Sequence, residues 1–296
     1  MIWRCREHAF DLTSRTLVMG IVNVTPDSFS DGGRYHEPAA AVSHARSLLA
    51  EGADLLDLGG ESTRPGSLPV SADEQWRRLA PVFEGLHREA PDACLSVDTS
   101  SAEVARRALA AGCHVVNDIT ALGDPDMAGV VADAGAGLVL MHMQGNPAIM
   151  QNAPRYDDVV REVGAYLAER LAVARAAGIP EEAIAFDPGV GFGKSLSHSH
   201  ALLANLDRLS AAGRPVLVGV SRKSFIGRTL PAPDRSPIDP GRAPAPLPVD
   251  QRLEGGLAAT AVAVLLGARI VRTHDVTATR RAVGMAEALK SARRGS

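Results

Sequence analysis

The stretch LVMGIVN at residues 17–23 is apolar until its last residue, Asn23. Strands that are covered on both faces, as in a parallel sheet, show continuous rather than alternating hydrophobicity. Seven further runs of this kind follow: DLLDLGG (54–60), CLSVDTS (94–100), HVVNDI (114–119), GLVLMHM (137–143), AIAFDPG (183–189), PVLVGVSRK (215–223) and ARIVRTHD (268–275). The sequence therefore predicts eight strands of a parallel sheet.

Amphipathic helices are predicted between these strands. Apolar residues recur three or four positions apart in 71–89 and 159–171, the spacing of one helix face. Two capping boxes are expected, Ser71 with Glu74 and Ser100 with Glu103. Strand and helix alternate eight times without a break in composition, which predicts an α/β fold of the (β/α)8 TIM-barrel type. A doubly wound open sheet would give the same local pattern.

We expect residues 1–296 to form a single domain. Residues 1–16 precede the first strand, and we expect this N-terminal extension to close the barrel floor as a hairpin. The segment 231–250 is rich in proline, and it is predicted to be a solvated, partly disordered loop insertion. We expect its removal to leave activity largely intact.

Composition narrows the function classes. The 296 residues are 46% hydrophobic and carry 31 basic against 34 acidic side chains, a net charge of -3, so no broad cationic face for nucleic acid is expected. Three scattered cysteines, Cys5, Cys94 and Cys113, are too few for a disulfide framework and fit a reducing compartment. The N-terminus lacks a signal-peptide pattern, and the longest apolar run, 257–271, is too short to span a bilayer. These features predict a cytoplasmic protein without a membrane partner.

Polar residues follow or end the predicted strands. Because the carboxyl ends of all strands in such a barrel meet on one face, side chains far apart in sequence are expected to gather at a single rim. These residues are Asn23, Asp57, Asp98, Asn117, His142, Asp187, Lys223, Arg272 and His274.

The loop NVTPDSFSDGG (23–33) has more polar groups than a simple turn needs. One interpretation is an ordinary loop that caps the next helix. The other is a mobile lid over an active site, ordered by Asp27 and Ser28, in which Asn23 offers a neutral oxygen to Mg²⁺. In the next loop, GGESTRPG (59–66), Arg64 offers donors for a phosphate or carboxylate, unless it forms a surface ion pair.

Asp98, Asn117 and Asp187 lie on three different strands. Each could cap the helix that follows. Alternatively they converge on a flat heterocycle, because a carboxylate pairs with a ring edge that presents two parallel N–H donors. A 2-amino-4-oxo pyrimidine edge has that shape.

The stretch DPGVGFGKS (187–195) is not a nucleotide-binding loop. A Walker A motif needs glycine where Pro188 stands, and a dinucleotide fingerprint needs glycine where Lys194 stands. We interpret the stretch as a tight loop after a strand, in which Phe192 either stacks on a planar ligand or packs.

The last two strands supply cations. SRK (221–223) places Ser221 and Lys223 on one side of its strand, and RTHD (272–275) places Arg272 and His274 on one side of the next, because alternate residues share a face. The two pairs would then form an anion cradle suited to a diphosphate. A paired Asp275 and a structural His274 are the alternative.

In chain order, NVTPDSFSDGG, DLGGESTRPG, SVDTS, ND (117–118), MHMQGNP, DPGVGFGK, SRKS and RTHD resemble dihydropteroate synthase, the folate-pathway enzyme and sulfonamide target. The resemblance covers nearly the whole chain, and only 231–250 departs from it by its length. It implies a transfer that joins 7,8-dihydropterin-6-ylmethyl diphosphate to 4-aminobenzoate with release of diphosphate, and a homodimer built from the late helices. A catalytically silent relative and a pterin-binding methyltransferase remain alternatives.

The resemblance also implies roles for matching residues. Asn23 would help to hold Mg²⁺ and diphosphate, with Arg64, Arg272 and His274 as further anion ligands. The aminobenzoate would be surrounded by Thr63, Arg64, Pro65, Ser221 and Phe29. The pterin would be bound by Asp98, Asn117, Asp187 and Lys223, with Met141 and Phe192 lining its pocket. The residues implied to be catalytic are Lys223, Asp98, Arg64, Arg272 and His274.

Overall fold

A computed structural model describes residues 1–25, 33–62, 66–230 and 245–294, without the side chains of 33–37 and 294. Its strands are β1 (Ile2–Cys5), β2 (His8–Asp11), β3 (Leu17–Asn23), β4 (Leu55–Gly59), β5 (Cys94–Asp98), β6 (Val115–Asp118), β7 (Gly137–Met141), β8 (Ile184–Asp187), β9 (Val216–Gly219) and β10 (Ala268–Thr273). Strands β3 to β10 pair in parallel in chain order, and β10 pairs with both β9 and β3. The predicted barrel is confirmed, and the open-sheet alternative is wrong because the sheet closes.

Helices connect successive barrel strands. They are α1 (Gly33–Ala50), α2 (Ala72–Glu89), α3 (Ala102–Ala110), α4 (Met127–Ala134), α5 (Val159–Ala176), α6 (Leu196–Ala204), α7 (Leu206–Ser210), α8 (Ser224–Thr229), α9 (Leu253–Leu265) and α10 (Val276–Arg294). In the described part of the chain, no helix combines the length and the apolar character that crossing a bilayer requires.

The predicted helix starts are confirmed at α2 and shifted at α3. The Ser71 side chain accepts the backbone N–H of Glu74, which is the first half of the expected capping box. The Glu74 carboxylate binds Arg77 and Arg78 instead of completing the box. At α3 the cap is Ser101, which accepts from the N–H of Val104, so the prediction of Ser100 is wrong by one residue. The Thr99 hydroxyl accepts the N–H of Ser101 at 3.2 Å. This bond holds Ser101 just outside the helix, in the cap position.

Each barrel strand is buried on both faces, as continuous hydrophobicity predicts. Leu56, Leu58, Val97 and Leu140 belong to one apolar cluster with residues of the surrounding helices. The alternate residues point into the barrel. There the first inward layer is apolar and consists of Leu17, Met19, Leu55, Cys94, Val115, Val139, Ala185, Leu217 and Ile270.

The N-terminal hairpin closes the floor of the barrel, as predicted for residues 1–16. β1 and β2 pair antiparallel, and the fully buried Trp3 and Cys5 pack on the first inward layer. The Trp3 indole Nε1 donates to the carbonyl of Ala183 at 3.0 Å. The hairpin therefore fills the end of the barrel opposite the strand carboxyl termini.

A group of His8, Cys94 and His114 lies at this floor, with potential ligand atoms within 4.8 Å of one another. The His114 ring is already used on both sides. Its Nδ1 accepts the N–H of Leu95 at 3.0 Å, so Nε2 carries the proton and faces Glu7 Oε1 at 2.9 Å. We therefore interpret the group as an anchor for the hairpin. Burial raises the pKa of all three cysteine thiols, so little reactive thiolate is expected at neutral pH.

Candidate active site

Two residues further along the strands, the inward face changes from apolar to polar. The alternation that points Leu55, Cys94 and Val115 inward also points Asp57, Ser96 and Asn117 inward. The same step leads from Ala185 to Asp187 and from Ile270 to Arg272, whereas on β7 it leads from Val139 to the apolar Met141. Strand alternation therefore gathers the second inward layer at the carboxyl end of the barrel, where such barrels have their active sites.

Arg272 connects two carboxylates in this layer. Its Nε donates to Asp57 Oδ2 at 2.5 Å, and its Nη2 donates to Asp98 Oδ2 at 2.7 Å. Asn117 donates from Nδ2 to the same Asp57 oxygen at 3.0 Å. Residues from β4, β5, β6 and β10 thus form one hydrogen-bonded cluster, as expected for a common rim.

Asp98 has spare acceptor capacity in this cluster. Its Oδ1 is buried and has no hydrogen-bond partner among the described residues. Burial raises the pKa of Asp98 to about 7, although the Arg272 charge opposes the rise. An unpartnered buried carboxylate oxygen is costly, and a ligand with N–H donors would satisfy it.

Asp187 lies at the end of β8 and orients the loop that follows. Its Oδ1 accepts the N–H of Gly189 at 2.7 Å, and its backbone carbonyl accepts the N–H of His142 at 3.0 Å. Burial raises the pKa of Asp187, while the nearby Lys223 lowers it. A Cβ at Gly189 would lie 1.9 Å from the His142 carbonyl oxygen, so only glycine allows this close approach.

Every carbonyl of residues 189–193 has a donor. The Gly189 carbonyl accepts from the N–H of Phe192 within the turn. The other four accept from side chains: Val190 from Lys223, Gly191 from Gln151, Phe192 from Lys194 and Gly193 from Tyr156. The Lys223 ammonium also lies 4.5 Å from the centre of the Phe192 ring, a cation–π distance. This loop is therefore held in one conformation beside Asp187.

Lys194 is buried beneath the loop with 3% of its surface exposed. Its ammonium donates to His142 Nδ1 at 3.0 Å, to the His142 carbonyl at 3.2 Å and to the Phe192 carbonyl at 2.9 Å. Burial lowers the pKa of Lys194 to about 7, and burial together with the Lys194 charge lowers the pKa of His142 to about 3. The neutral imidazole thus accepts from the lysine.

The expectation that Ser221 and Lys223 share a strand face is wrong. β9 ends at Gly219, and Arg222 has a left-handed backbone with φ of 58°, which turns the chain between the two residues. Ser221 Oγ lies 3.1 Å from His274 Nδ1, whereas Lys223 points to Val190 and Phe192. Partial burial of Lys223 lowers its pKa to about 8.

The expectation that Arg272 and His274 form one strand face is also wrong, because β10 ends at Thr273. Arg272 points into the barrel to Asp57 and Asp98, whereas His274 pairs with Ser221 beyond the strand end. Asp275 is paired, as in the alternative interpretation, and binds the Arg222 guanidinium at 2.6 and 3.1 Å. Of the four side chains expected to form the anion cradle, Ser221 and His274 are therefore in contact with each other.

Asn23 ends β3 at the rim, and its Oδ1 would lie 3.8 Å from a Cβ on Gly59. Among the described residues, no hydrogen bond to its side chain is formed. The predicted site residues Phe29, Thr63, Arg64 and Pro65 lie outside the described residues. So do Asp27, Ser28 and most of the lid, and so does 231–244 of the proline-rich segment.

Three buried polar residues of the site were not assigned a role from the sequence. Asp57 and Ser96 lie in the middle of apolar runs, and Lys194 follows two glycines in a stretch interpreted as a simple loop. Asp57 was expected at the rim, and an acid inside a doubly buried strand is a signal that could also have predicted its ion pair, since such a group needs partners. Nothing in the sequence distinguishes Lys194 from a solvent-exposed lysine.

The chain is similar to known proteins, and these agree with the pterin site expected from the geometry. A family model described as pterin binding enzyme matches residues 19–274. The dihydropteroate synthase of Escherichia coli K12 is 45% identical over 276 residues, which cover 93% of this chain and 92% of that protein. The chain belongs to the dihydropteroate synthase family.

Solved structures of this family share the whole fold. The dihydropteroate synthase of Xanthomonas albilineans with 4-aminobenzoic acid is 45% identical and superposes with a TM-score of 0.86, covering 98% of both chains. The same enzyme with 7,8-dihydropteroate gives a TM-score of 0.83 at 42% identity, covering 98% of this chain and 99% of that one. The Yersinia pestis enzyme in a sulfonamide drug complex gives 0.87 at 42% identity, over 99% of this chain and 100% of that one.

Proposed function

We propose that this member of the dihydropteroate synthase family joins 7,8-dihydropterin-6-ylmethyl diphosphate to 4-aminobenzoate, giving 7,8-dihydropteroate and diphosphate. The observation that carries the proposal is the buried, unpartnered Oδ1 of Asp98 at a rim that also holds Asn117, Asp187 and Lys223. Such a site matches a flat ring rich in N–H donors.

The pterin ring would lie between the second inward layer and the 189–193 loop. The carboxylates of Asp98 and Asp187 would accept from its N–H groups, and the Asn117 carboxamide and the Lys223 ammonium would bind its remaining polar atoms. Met141 is buried in the same layer, and Phe192 lies beside Lys223. These two side chains would cover the ring faces.

The diphosphate and the aminobenzoate would bind on the side of β3, β9 and β10. Ser221 and His274 are adjacent there, and Arg272 presents its guanidinium from the second inward layer. The resemblance adds Arg64 to the anion ligands, and Phe29, Thr63 and Pro65 to the aminobenzoate pocket. A sulfonamide, which resembles 4-aminobenzoate, would compete for the same pocket.

Magnesium fits the residues at the end of β3. Asn23 offers a neutral carboxamide oxygen that no described residue occupies, and Mg²⁺ commonly takes only one or two protein ligands beside phosphate oxygens and water. When bound, the ion would offset the charge that grows on the leaving diphosphate. We propose Asn23 as its protein ligand.

The residues of the chain then act mainly through electrostatics. Departure of diphosphate leaves a cation on the methylene that is conjugated with the electron-rich pterin, so the reaction is dissociative and needs no strong base. The Asp98 carboxylate would stabilise the cationic ring, and Arg64, Arg272 and His274 would stabilise the anion. The loop 23–33 would exclude water, which otherwise captures the cation.

A catalytically silent relative and a pterin-binding methyltransferase are the competing functions. Both would share the Asp98 and Asn117 contacts with a pterin. Neither requires Ser221 beside His274 or an ammonium held at Lys223, so the described geometry favours the synthase.

The test is direct. Purified protein mixed with the pterin diphosphate, 4-aminobenzoate and Mg²⁺ should form dihydropteroate, and excess chelator should stop the reaction. Absence of product from folded protein that still binds pterin would favour the silent relative. Methyl transfer to or from a methylated pterin would favour the third function.

We further propose that the chain works as a single domain in the cytoplasm and as a homodimer. Val262 on α9 and Met285 and Leu289 on α10 are 47%, 62% and 49% exposed, and Lys290 of α10 donates to the Val264 carbonyl of α9. This apolar surface on two packed helices would be covered by a second copy. Sedimentation should show a dimer that Met285→Glu dissociates, whereas Val173→Glu on α5, also at an exposed position, should not change the mass.

A further inference from the structure

Asp57 occupies an unusual position for a carboxylate. It lies in the middle of β4, between Leu56 and Leu58, with 0% of its surface exposed. Its inward neighbours on the strand are Leu55 towards the floor and Gly59 towards the rim. Asp57 is therefore shielded from any ligand and must act through other residues.

Both oxygens of Asp57 are fully used by groups from other strands. Oδ1 accepts from Ser96 Oγ at 2.6 Å, and Oδ2 accepts from Arg272 Nε at 2.5 Å and from Asn117 Nδ2 at 3.0 Å. Two of these three donors belong to the proposed substrate site. A buried ion pair costs desolvation free energy, so its presence directly beneath the rim calls for a reason other than stability.

We propose that Asp57 is a positioning residue that fixes both Arg272 and Asn117 for pterin binding; this rests on the proposed function. Its carboxylate holds the guanidinium by Nε, which directs Nη2 to Asp98 Oδ2 at 2.7 Å. Arg272 thereby occupies one Asp98 oxygen and leaves Oδ1 for the ligand.

The Asn117 carboxamide is oriented by the same carboxylate. An ionised carboxylate only accepts hydrogen bonds, so the amide nitrogen must face Asp57 and the amide oxygen must face away. Asn117 is therefore presented as an acceptor, which suits an N–H of the pterin. Replacing Asp57 by Asn would remove this constraint, because an amide partner can donate or accept.

The charge of Asp57 also acts on Asp98. The other charged groups that face Asp98 are Arg272 from β10, Asp118 from β6, Glu61 after β4 and Lys223 after β9. Asp57 raises the pKa of Asp98 in addition to burial. Removing the Asp57 charge should lower the pKa of Asp98, so that Asp98 ionises at a lower pH.

The experiment compares Asp57→Asn with Ser96→Ala in the full chain. Ser96→Ala removes one hydrogen bond to Asp57 and keeps its charge and its contacts with Arg272 and Asn117. We expect Asp57→Asn to raise the KM for pterin diphosphate about tenfold or more, because one charged hydrogen bond is lost. The KM for 4-aminobenzoate should change little. The acid limb of the pH–kcat/KM profile should move to lower pH, and Ser96→Ala should leave it in place.

Binding of a 2-amino-4-oxo pterin, followed by titration calorimetry, separates this proposal from the proposed function. If the wild-type chain binds the pterin without turnover, the synthase function fails, but weaker binding by Asp57→Asn still supports the role of Asp57. The positioning role of Asp57 would be overturned if Asp57→Asn equalled the wild type in pterin affinity, in both KM values and in the pH profile. If Asp57→Asn does not fold, Asp57→Ser, which leaves room for a water molecule, is measured in the same way.

Discussion

The interior of the barrel has two layers that are built by the same strands but differ in chemistry. The floor layer, with Leu55, Cys94 and Val115, is apolar and is covered by Trp3 of the hairpin. The rim layer, two residues further on, contains Asp57, Ser96 and Asn117. Burial of the apolar floor layer involves no loss of hydrogen bonds to water, so this layer stabilises the fold. Burial of the charged groups in the rim layer costs desolvation free energy. Stability and activity should therefore depend on separate layers.

Replacing Lys223 by Ala should have the largest effect on activity. The ammonium holds the Val190 carbonyl and the Phe192 ring and is proposed to contact the pterin. We expect kcat/KM to fall about 10³-fold, as for loss of a preorganised electrostatic group, with little change in the unfolding midpoint. Lys290→Ala on α10 is the matched control, and comparable activity in the two variants would remove Lys223 from the mechanism.

Replacing Trp3 by Ala should have the opposite effect. The side chain is fully buried at the floor and donates to the Ala183 carbonyl, so its loss should lower the free energy of unfolding by about 3–5 kcal/mol. Turnover per folded molecule should not change, because Trp3 packs with the apolar residues of the floor layer. Denaturant titration and steady-state kinetics on the same sample test this. A fall in turnover per folded molecule as large as that in Lys223→Ala would show that the two layers are not separate.

Lys194 should make stability depend on pH. Its pKa is about 7 in the folded protein against an ordinary value of 10.5. Between these values the unfolded chain binds more protons, so the free energy of unfolding rises with pH, by on the order of 1–2 kcal/mol between pH 7.5 and 9. Below about pH 7 both states bind the proton, and this contribution no longer changes.

Lys194→Met lacks this titration. The difference in free energy of unfolding between Lys194→Met and the wild type should therefore change over that pH range, measured by denaturant titration at each pH. If that difference stays constant instead, the lysine is not held in the buried environment described here.

Removing residues 232–243 should have the smallest effect. From Leu247 onwards the chain is tied to the barrel, since Leu247 donates to the Gly227 carbonyl and accepts from Arg252. The deletion variant therefore retains Leu247 and the residues after it, and the whole segment 231–250 is not removed. We expect kcat and both KM values to stay within about twofold of the wild type, the scale of a change distant from the chemistry. A folded but inactive deletion variant would mean that the segment contributes to the site.

The sequence predicted the strands and the polar rim better than it predicted the contacts of individual side chains. All eight strands could be located because burial on both faces leaves continuous apolar runs, and the strand order follows from chain order in a closed barrel. The ends of β9 and β10 could not be located, because SRK and RTHD continue a strand-like pattern. After β9 the chain turns at the left-handed Arg222, which is neither Gly nor Asn, the usual signals of such a turn.

The partners of buried charges could not be predicted from local sequence. Arg272 contacts Asp57 across 215 residues and Asp98 across 174, and Lys194 contacts His142 across 52. Such pairs depend on barrel closure and on the register of neighbouring strands. The sequence could identify the polar residue types at the rim but not which of them satisfy each other and which remain available to a ligand.

A crystal structure of the protein with a bound 2-amino-4-oxo pterin tests the central claim most directly. We predict that the ring edge lies in the second inward layer, with N–H groups within hydrogen-bond distance of Asp98 Oδ1 and of the Asp187 carboxylate, and with Arg272 still bound to Asp57. A pterin bound elsewhere, with Asp98 Oδ1 still unpartnered, would contradict it.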